Sequence, residues 1–453
     1  MQSIADPMNF ELTPSQRIAV DSMKVFLKKR IGYSFDERVL VLKGKAGTGK
    51  TTILRVALWE LIQEDLNNPI YKEHDYFSNF ENIIPNVIGV TVSHKAKIRL
   101  QSSIPNATTY AGYFGLKPVY ASDGKVRFEK DRINPTKTLP HQIPFLVVAH
   151  DEVSMYGMDY VNFIEEYTHS NSKIILVGDP NQLPPIVEDR ENVSDMDSPV
   201  FFYFSNQVTL TERVRQTFGN PIVDLSDAIS EEIEGKHNTK RILDLIKTDK
   251  YNNGIGYRSI KRTEVIKDYI SHYVKDDQTR IICYTNVGIN AMNKQIRKKL
   301  IPHADQMYVK GDAIYMNKTY PVSKEKAFYN SEEFVIQDIE ITKHMGLKCY
   351  KMYLEKDSSS FCYVVHEDSF AAYKQIILNK EKEAKAAPPK SKAKLFVELK
   401  IYKENFADIS YGYAFTAYKA QGSGFTNVYV DVANIFNCGL SNKRALQALY
   451  TAI

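Results

Sequence analysis

The segment 44–51, GKAGTGKT, combines glycines, a lysine and a hydroxyl residue at the spacing of a phosphate-binding loop. Glycines let the backbone approach closely, so its N–H groups can point at phosphates, and a following helix adds a positive N-terminal end. Lys50 is expected to reach the β- and γ-phosphates of ATP, and Thr51 to ligate Mg²⁺. The predicted nucleotide contacts here are Gly44, Ala46, Gly47, Thr48, Gly49, Lys50, Thr51 and Thr52. A purely structural glycine turn is the alternative.

Two adjacent carboxylates, Asp151 and Glu152, follow an apolar run further along the chain. A carboxylate at a strand end can hold Mg²⁺ through water, and its neighbour can activate the water that attacks the γ-phosphate. We assign Asp151 to the metal and Glu152 to the general base, beside Lys50. The alternative is a solvated acidic strand end, which an isolated Asp-Glu pair would favour.

Three further side chains are candidates for the same site. Gln182 follows Gly-Asp-Pro-Asn and could sense the γ-phosphate through its amide, although this sequence is also good turn chemistry. Arg215 is the candidate arginine finger because a guanidinium stabilises charge on phosphoryl oxygens, and Arg213 is the other choice. Gln16 could close a helix capping box with Thr13, hydrogen-bond adenine, or do both.

Apolar runs alternate with helical patterns over roughly the first half of the chain, which predicts a parallel sheet covered by helices. The predicted strands are 38–44, 86–92, 145–152 and 173–179, and 51–66 is a predicted helix. The turn signal Ser122-Asp123-Gly124 predicts a β-hairpin across 113–135.

Polar residues follow the second of these strands, where ligands approach the carboxyl end of a parallel sheet. They are Ser93, His94 and Lys95. We expect them to contact a nucleic-acid backbone, and a solvated loop is the alternative.

The pattern of buried strands then restarts. A strand at 279–286, a helix at 288–300 and a strand at 427–432 predict a second core domain. Between them, alternating strands such as 332–341 predict a small inserted β-barrel. The lysine-rich stretch 380–394 has two prolines and no apolar period, which predicts a solvated, exposed loop. A flexible contact to DNA or to a partner is the alternative.

The composition of the 453-residue chain, 43% hydrophobic and 25% charged, is typical of a soluble globular protein with about two to four structural units. We find no apolar run long enough for a membrane span and no visible signal peptide. The four cysteines lack zinc-like spacing, so we expect reduced thiols, no structural metal and a cytosolic setting. A net charge of +5 permits binding to phosphates without indicating it.

Several segments stand in the order of a known family: GKAGTGKTT (44–52), DEVSMY (151–156), LTERVRQ (210–216), IRKKL (296–300) and YKAQGSGFTNVYV (418–430). On these segments the chain resembles superfamily 1 helicases of the RecD/Dda class, especially their bacteriophage members. These enzymes move 5′ to 3′ on single-stranded DNA. The resemblance implies an α/β fold with two RecA-like P-loop domains, whose parallel sheets carry helices on both faces, with ATP between the domains and DNA across both.

The resemblance also implies a division of the chain. The first RecA-like domain would be 1–215, with a strand-separating hairpin at 113–135, and the second would comprise 216–309 and 406–453. An SH3-like barrel with an extended lysine-rich arm would occupy 310–405.

The same resemblance implies contacts and partners. The expected DNA contacts are Ser93, His94, Lys95, Thr108, Thr416, Lys419, Gln421 and Ser423, while Gly422 joins Gln16 among the nucleotide contacts. The expected partners are single-stranded and forked DNA, with single-strand-binding or replisome proteins, in replication, recombination or repair. We expect a monomer with no membrane partner, in the cytoplasm, which is the host cytoplasm if the chain is viral.

The sequence departs from the family pattern at three places. Tyr418 stands where histidine is usual, and His150 where an apolar residue or cysteine is commoner. In this class YTAI (450–453) is followed by Ser/Thr-Arg, whose arginine contacts the γ-phosphate, and the sequence ends at Ile453. A hydrolysis-deficient, single-strand-binding helicase remnant is therefore an alternative. A nucleotide switch or kinase is another, but it leaves 417–424 unexplained, and RNA could replace DNA.

Overall fold

The computed structural model describes residues 11–30, 34–66, 87–120, 126–130, 140–142, 147–185, 197–214, 220–237, 239–252, 254–274, 278–302, 305–323, 326–354 and 360–453. The strands of the first half are β1 Val39–Gly44, β2 Val87–Thr91, β3 Ala107–Thr109, β4 Leu116–Tyr120, β5 Val126–Lys130, β6 Val147–His150, β7 Lys173–Gly178 and β8 Gln207–Leu210.

Six of these strands form one parallel sheet in the order β3-β2-β6-β7-β1-β8. Every residue of β2, β6 and β7 is buried, as expected when helices cover both faces of a parallel sheet. The predicted α/β fold with a parallel sheet is confirmed. The two outer strands, β3 and β8, are short and were not predicted, because three or four residues give little periodic signal.

Helices lie on both faces of this sheet. They are α1 Pro14–Lys28, α2 Lys50–Leu66, α3 His94–Gln101, α4 Tyr110–Phe114, α5 Met158–Tyr167 and α6 Val200–Tyr203. On one face, α1 and α2 bury Val20 and Leu54 in a common core, and on the other, α4 and α5 bury Tyr113 and Ile164. The sheet therefore has two separate apolar cores.

The strands β4 and β5 pair with each other in an antiparallel ribbon, from Leu116 opposite Lys130 to Tyr120 opposite Val126. This pairing is that of the predicted hairpin. The predicted turn, Ser122-Asp123-Gly124, lies outside the described residues.

The following elements are α7 Pro221–Ile233, α8 Thr239–Lys247, β9 Lys250–Asn252, β10 Ile255–Tyr257, α9 Arg262–Tyr273, β11 Thr279–Cys283 and α10 Asn286–Leu300. Next come β12 Ala313–Met316, β13 Tyr320–Pro321, β14 Ala327–Phe328, β15 Glu333–Val335, β16 Asp338–His344, β17 Leu347–Tyr353 and β18 Phe361–Val365. The chain ends with α11 Phe370–Ala386, α12 Pro389–Glu404, β19 Ile409–Tyr411, β20 Ala414–Thr416, α13 Ala417–Ala420, β21 Asn427–Val430, α14 Val432–Phe436 and α15 Asn442–Ala452.

A second parallel sheet has the order β20-β11-β21, with all three strands aligned. Its strands come from the two predicted runs, 279–286 and 427–432, and from a short strand before α13. The insertion between β11 and β20 thus separates parts of the chain that build one sheet.

The inserted strands pair as three small sheets, β15-β12-β19, β13-β14 and β16-β17-β18. A shared apolar core, which includes Ile314, Phe328, Tyr350 and Met352, joins them. The predicted single strand 332–341 is wrong in detail, because β15 and β16 join different sheets. A closed SH3-like barrel stays a prediction.

The lysine-rich stretch 380–394 is not a loop, and that prediction is wrong. It forms the end of α11, a short turn and the start of α12, a helical hairpin. Pro389 lies in the first turn of α12, where proline is tolerated because that N–H has no helical partner. Ala384, Phe396 and Leu399 form a small core between the helices. In the described part of the chain, no helix is both long and apolar enough to cross a membrane.

Candidate nucleotide site and domain interface

The loop between β1 and α2 has the backbone of a phosphate cradle. Gly47 and Gly49 have φ angles of 82° and 84°, which glycine adopts without the strain that a Cβ would cause. The Lys50 ammonium donates to the carbonyl oxygens of Gly44 (2.8 Å) and Lys45 (3.2 Å). The Lys50 ammonium group is therefore held by carbonyl oxygens of the loop. From this position it can turn to the oxygens of a bound phosphate.

Gln16 ties this loop to the first helix. Its Oε1 accepts from the Thr13 backbone N–H (3.0 Å), which with the Thr13 side chain completes the predicted capping box. Its Nε2 donates to the Thr48 carbonyl oxygen (2.9 Å). The side chain is buried and both ends of the amide are engaged with the backbone. A contact with adenine stays a prediction.

Asp151 and Glu152 follow β6 and face the start of α2. The Thr51 hydroxyl donates to Asp151 Oδ2 at 3.4 Å. Burial raises the pKa of Asp151, and burial together with the Asp151 charge raises the pKa of Glu152 to about 7. Two partly buried carboxylates beside a hydroxyl suit Mg²⁺, which usually takes one or two protein oxygens and keeps several waters. Thr51 and Asp151 would hold the ion.

Glu152 has an unusual backbone, with φ 60° and ψ 38°. A non-glycine residue in this left-handed region costs about 1–3 kcal/mol and persists only where the surroundings enforce it. The conformation carries the Glu152 carboxylate to the second domain. Such strain is typical of functional positions.

Gln421, directly after α13, reaches from the second domain into this site. Its Nε2 donates to Ser154 Oγ (2.9 Å) and Gln182 Oε1 (3.2 Å), and lies 3.5 Å from Glu152 Oε2. Among the described atoms, the Gln421 Oε1 is buried without a hydrogen-bond partner. One amide thus connects the predicted base, the predicted γ-phosphate sensor and the second domain.

Gly422 brings the backbone of the second domain against the same carboxylate. Its φ is 73°, and a Cβ added there would lie 3.4 Å from Glu152 Oε1. The Arg99 guanidinium donates to the Gly422 carbonyl oxygen (2.9 Å), a contact between the domains that was not predicted. The Ser423 hydroxyl, a predicted DNA contact, is buried without a partner among the described atoms.

The predicted arginine finger, Arg215, lies outside the described residues. The other choice, Arg213, is described: its guanidinium donates to Asp227 Oδ1 on α7 (2.9 Å) and its side chain is largely buried. Lys45 of the loop pairs with the same Asp227 oxygen (3.2 Å). Arg213 is therefore not a free surface residue, and it shares Asp227 of α7 with Lys45 of the loop.

Tyr450, on α15, is a residue that the sequence did not reveal. Its hydroxyl accepts from the Ala46 backbone N–H (3.3 Å) and donates to Asp179 Oδ2 (2.9 Å). Asp179 is buried, and burial raises its pKa. Ala46 is one of the predicted phosphate contacts, so the hydroxyl occupies an N–H that a phosphate would use. The sequence analysis singled out YTAI (450–453) only because Ser/Thr-Arg follows it in the resembled class, so it predicted no role for Tyr450 itself.

We expect Tyr450→Phe to lower the KM for ATP by about two- to tenfold, because one competing hydrogen bond is worth about 0.5–1.5 kcal/mol. Steady-state kinetics over a range of ATP concentrations measures this. The matched control is Tyr402→Phe, which removes a buried hydroxyl that has no partner among the described atoms. An unchanged or raised KM in Tyr450→Phe would show that the hydroxyl does not compete with phosphate.

The predicted DNA contacts of the first domain lie near the insertion. Ser93 caps α3 through its side chain. The His94 ring stacks on Tyr329, with ring centroids 3.6 Å apart. Burial lowers the pKa of His94 to about 4, so the ring is neutral at physiological pH. Lys95 forms an ion pair with Glu333. Thr108 is half-buried on the outer strand β3.

The predicted DNA contacts of the second domain are also engaged. The Thr416 side chain caps α13. The Lys419 ammonium donates to Asn317 Oδ1 (2.8 Å) and lies 3.9 Å from the Tyr315 ring centroid. Burial lowers the pKa of Lys419 to about 8. Lys419 thus contacts the insertion, whereas Gln421 reaches the nucleotide site.

The two residues that depart from the family pattern, His150 and Tyr418, both lie beside aromatic side chains. His150 is fully buried, with Nδ1 at 3.0 Å from the Tyr156 hydroxyl, and burial lowers its pKa to about 3. It packs edge-on against Tyr113 and Tyr156, behind the carboxylate pair. Tyr418 packs near Tyr284 and is largely buried.

Residues 30–246 match a family described as an AAA domain, which covers the phosphate loop and the carboxylate pair. An uncharacterized protein of Acanthamoeba polyphaga mimivirus is 23% identical over 486 aligned positions, which cover 92% of this chain and 93% of that protein. That relative is a viral protein, and a bacteriophage origin of this chain stays a prediction.

Among solved structures, the chain resembles the Pif1 helicase from Candida albicans (TM-score 0.48, 14% identity, 98% of this chain and 92% of that chain). It also resembles the Bacteroides Pif1 bound to single-stranded DNA (TM-score 0.49, 13% identity, 98% and 90%).

Proposed function

We propose that this protein is an ATP-driven helicase that moves 5′ to 3′ on single-stranded DNA and unwinds forked DNA. The observation that carries the proposal is the Gln421 amide, which bridges Glu152 and Gln182 from the second domain. If the protein were a nucleotide switch or a kinase, the phosphate loop would be explained but this bridge to a second domain would not. A motor needs it, because the nucleotide site must report to a second domain that moves.

In the proposed hydrolysis step, the oxygen of the attacking water bonds to the γ-phosphorus of ATP while Glu152 accepts a proton from that water. The bond between the γ-phosphorus and the β–γ bridging oxygen breaks, so ADP and inorganic phosphate leave. The raised pKa of Glu152 suits a base that works near neutral pH. Lys50 binds the phosphate oxygens, and Arg215 stabilises the charge that develops on them. Thr51 and Asp151 would hold Mg²⁺, and the bound ion would supply positive charge that offsets the charge of the phosphates. Gln182 senses the γ-phosphate and passes its presence to Gln421.

In the proposed translocation step, ATP binding closes the two domains and hydrolysis opens them. DNA would run over Ser93, His94 and Lys95 of the first domain and Thr416 and Lys419 of the second. The neutral His94 ring suits stacking on a base rather than pairing with a phosphate. Lys95 and Lys419 would exchange their present partners for phosphates. The ribbon β4–β5 would divide the duplex.

The rest of the proposal follows from the resemblance. Two RecA-like domains, 1–215 and 216–309 with 406–453, would surround an SH3-like insertion at 310–405. The protein would act as a monomer in replication, recombination or repair, in the cytoplasm of a host if the chain is from a bacteriophage. Single-strand-binding or replisome proteins would accompany it.

Fork unwinding tests the proposal. Fluorescently labelled forks with only a 5′ tail or only a 3′ tail are mixed with the protein and ATP, beside the Lys50→Ala variant. We expect unwinding from the 5′ tail alone and none by the variant. Unwinding from the 3′ tail would contradict the direction. Tight single-strand binding without hydrolysis would identify a helicase remnant, and unwinding of RNA alone would change the substrate.

A further inference from the structure

One small element has an excess of positive over negative charge as large as that of the full sequence. The helical hairpin α11–α12, residues 370–404, contains nine lysines and four glutamates and no other charged residue. Its net charge is therefore +5, which equals the net charge of the full chain. The remainder of the sequence is neutral overall, so an attraction to a polyanion that depends on net charge would act through this hairpin.

The hairpin is a preformed structure rather than a solvated tail. Its helices pack through Ala384, Phe396 and Leu399, and the Lys403–Glu381 ion pair (2.8 Å) joins them. A rigid pair of helices holds its lysines at fixed spacing, so little ordering entropy is lost when a ligand binds.

Three of the lysines near the turn of the hairpin are exposed to solvent. Lys382, Lys385 and Lys394 are exposed. Lys394 lies 4.0 Å from Glu398, and neither Lys382 nor Lys385 forms an ion pair with a carboxylate of the described residues. Exposed pairs of this kind contribute little, so all three ammonium groups are available to an anion.

The position of the hairpin indicates which polyanion it would meet. The helix Pro389–Glu404 lies beside the strand Leu116–Tyr120 of the ribbon that would divide the duplex. Its 16 residues make it about 24 Å long at 1.5 Å per residue, which is less than one turn of B-form DNA, about 34 Å. Because the helix lies against the ribbon, a duplex that meets the ribbon would bring phosphates close to this helix.

We propose that the helical hairpin 370–404 binds the phosphate backbone of the duplex ahead of the ribbon. This inference rests on the proposed function, and it adds a second nucleic-acid site that takes double-stranded rather than single-stranded DNA. Lysine ammonium groups on a helix surface recognise charge and not sequence, so the site is expected to accept any duplex sequence.

The triple variant Lys382→Gln/Lys385→Gln/Lys394→Gln tests the site, because glutamine keeps the helices and removes the charges. Binding to a blunt duplex, a fork and a single strand is measured by fluorescence anisotropy over a range of salt concentrations, without nucleotide. For the duplex and the fork, we expect the slope of log affinity against log salt to become shallower by about 2–3, since each lost phosphate contact removes about 0.9. Single-strand binding and single-strand-stimulated hydrolysis should not change.

The matched control is Lys240→Gln/Lys247→Gln/Lys267→Gln, which removes the same charge from exposed positions on α8 and α9. The proposal is overturned if both triple variants weaken duplex binding equally, if single-strand and duplex binding fall together, or if duplex binding is unchanged. The last result would favour an acidic protein partner. Absence of single-strand-stimulated hydrolysis in the unmodified protein would overturn the proposed function instead, and the duplex comparison would still be measurable.

Discussion

Replacing Glu152 by glutamine should reduce the turnover of ATP by about 10²–10⁴-fold, the usual contribution of a general base. Glutamine keeps the shape of the side chain but cannot accept the proton of the attacking water. The KM for ATP should change little, because the lost interaction is made only in the transition state. Steady-state hydrolysis of ATP with saturating single-stranded DNA measures both quantities.

The Glu152→Gln variant should not be less stable than the unmodified protein. The carboxylate is partly buried beside Asp151 and its pKa is raised to about 7, so the folded state disfavours its charge. A neutral amide removes that penalty, and we expect a melting temperature no lower than that of the unmodified protein. Glu165→Gln, at an exposed position of α5, is the control. A variant that melts normally and hydrolyses ATP normally would remove Glu152 from the mechanism.

Replacing Gln421 by alanine should weaken the coupling between DNA binding and ATP hydrolysis. The amide is the described contact that joins Ser154, Gln182 and the second domain. We expect the stimulation of hydrolysis by single-stranded DNA to fall by about 5–150-fold, the range of coupling free energies between sites. Hydrolysis without DNA should change little, because the phosphate loop and Glu152 remain.

Two comparisons make the Gln421→Ala result specific. Gln375→Ala, on the exposed surface of α11, removes the same kind of side chain away from the interface. Binding to single-stranded DNA should survive in both variants, because Lys95 and Lys419 are untouched. If Gln421→Ala loses DNA binding and hydrolysis together, the residue holds the structure and does not couple the sites. If stimulation persists in full, the bridge has no role.

Local patterns predicted the parts of the structure that depend on local sequence. The strands at 38–44 and 173–179 are continuous apolar runs, and such runs are what a strand buried on both faces requires. The capping box of Thr13 and Gln16 was also found from spacing alone, because its hydrogen bonds join residues three positions apart. The phosphate loop belongs to the same class, since its glycines and lysine are contiguous.

The helical hairpin was missed because its burial is sparse. In the stretch 380–394 only Ala384 is fully buried among the residues whose side chains are described, so no apolar period is visible. The lysines suggested a solvated loop, and the helices are indeed exposed to solvent. What the pattern could not show is that the prolines at 388–389 separate two helices rather than interrupt a coil.

The domain interface could be predicted only in part. Gln421 was chosen by resemblance, and the structure brings it to Glu152 and Gln182. The bond between Tyr450 and Asp179 joins residues 271 positions apart, and no spacing rule connects them. Arg99 and Asp227 were missed for the same reason. Contacts that depend on how two domains meet are set by the tertiary structure and leave no periodic trace in the sequence.

The most direct test of the central claim is ATP hydrolysis by the 453-residue chain with and without single-stranded DNA, beside the Lys50→Ala variant. The proposed motor predicts strong stimulation by DNA in the unmodified protein and no hydrolysis by the variant under either condition. Hydrolysis that is indifferent to DNA would contradict coupling between the Gln421 bridge and the nucleotide site. Absence of hydrolysis, with ATP and DNA still bound, would contradict the motor itself.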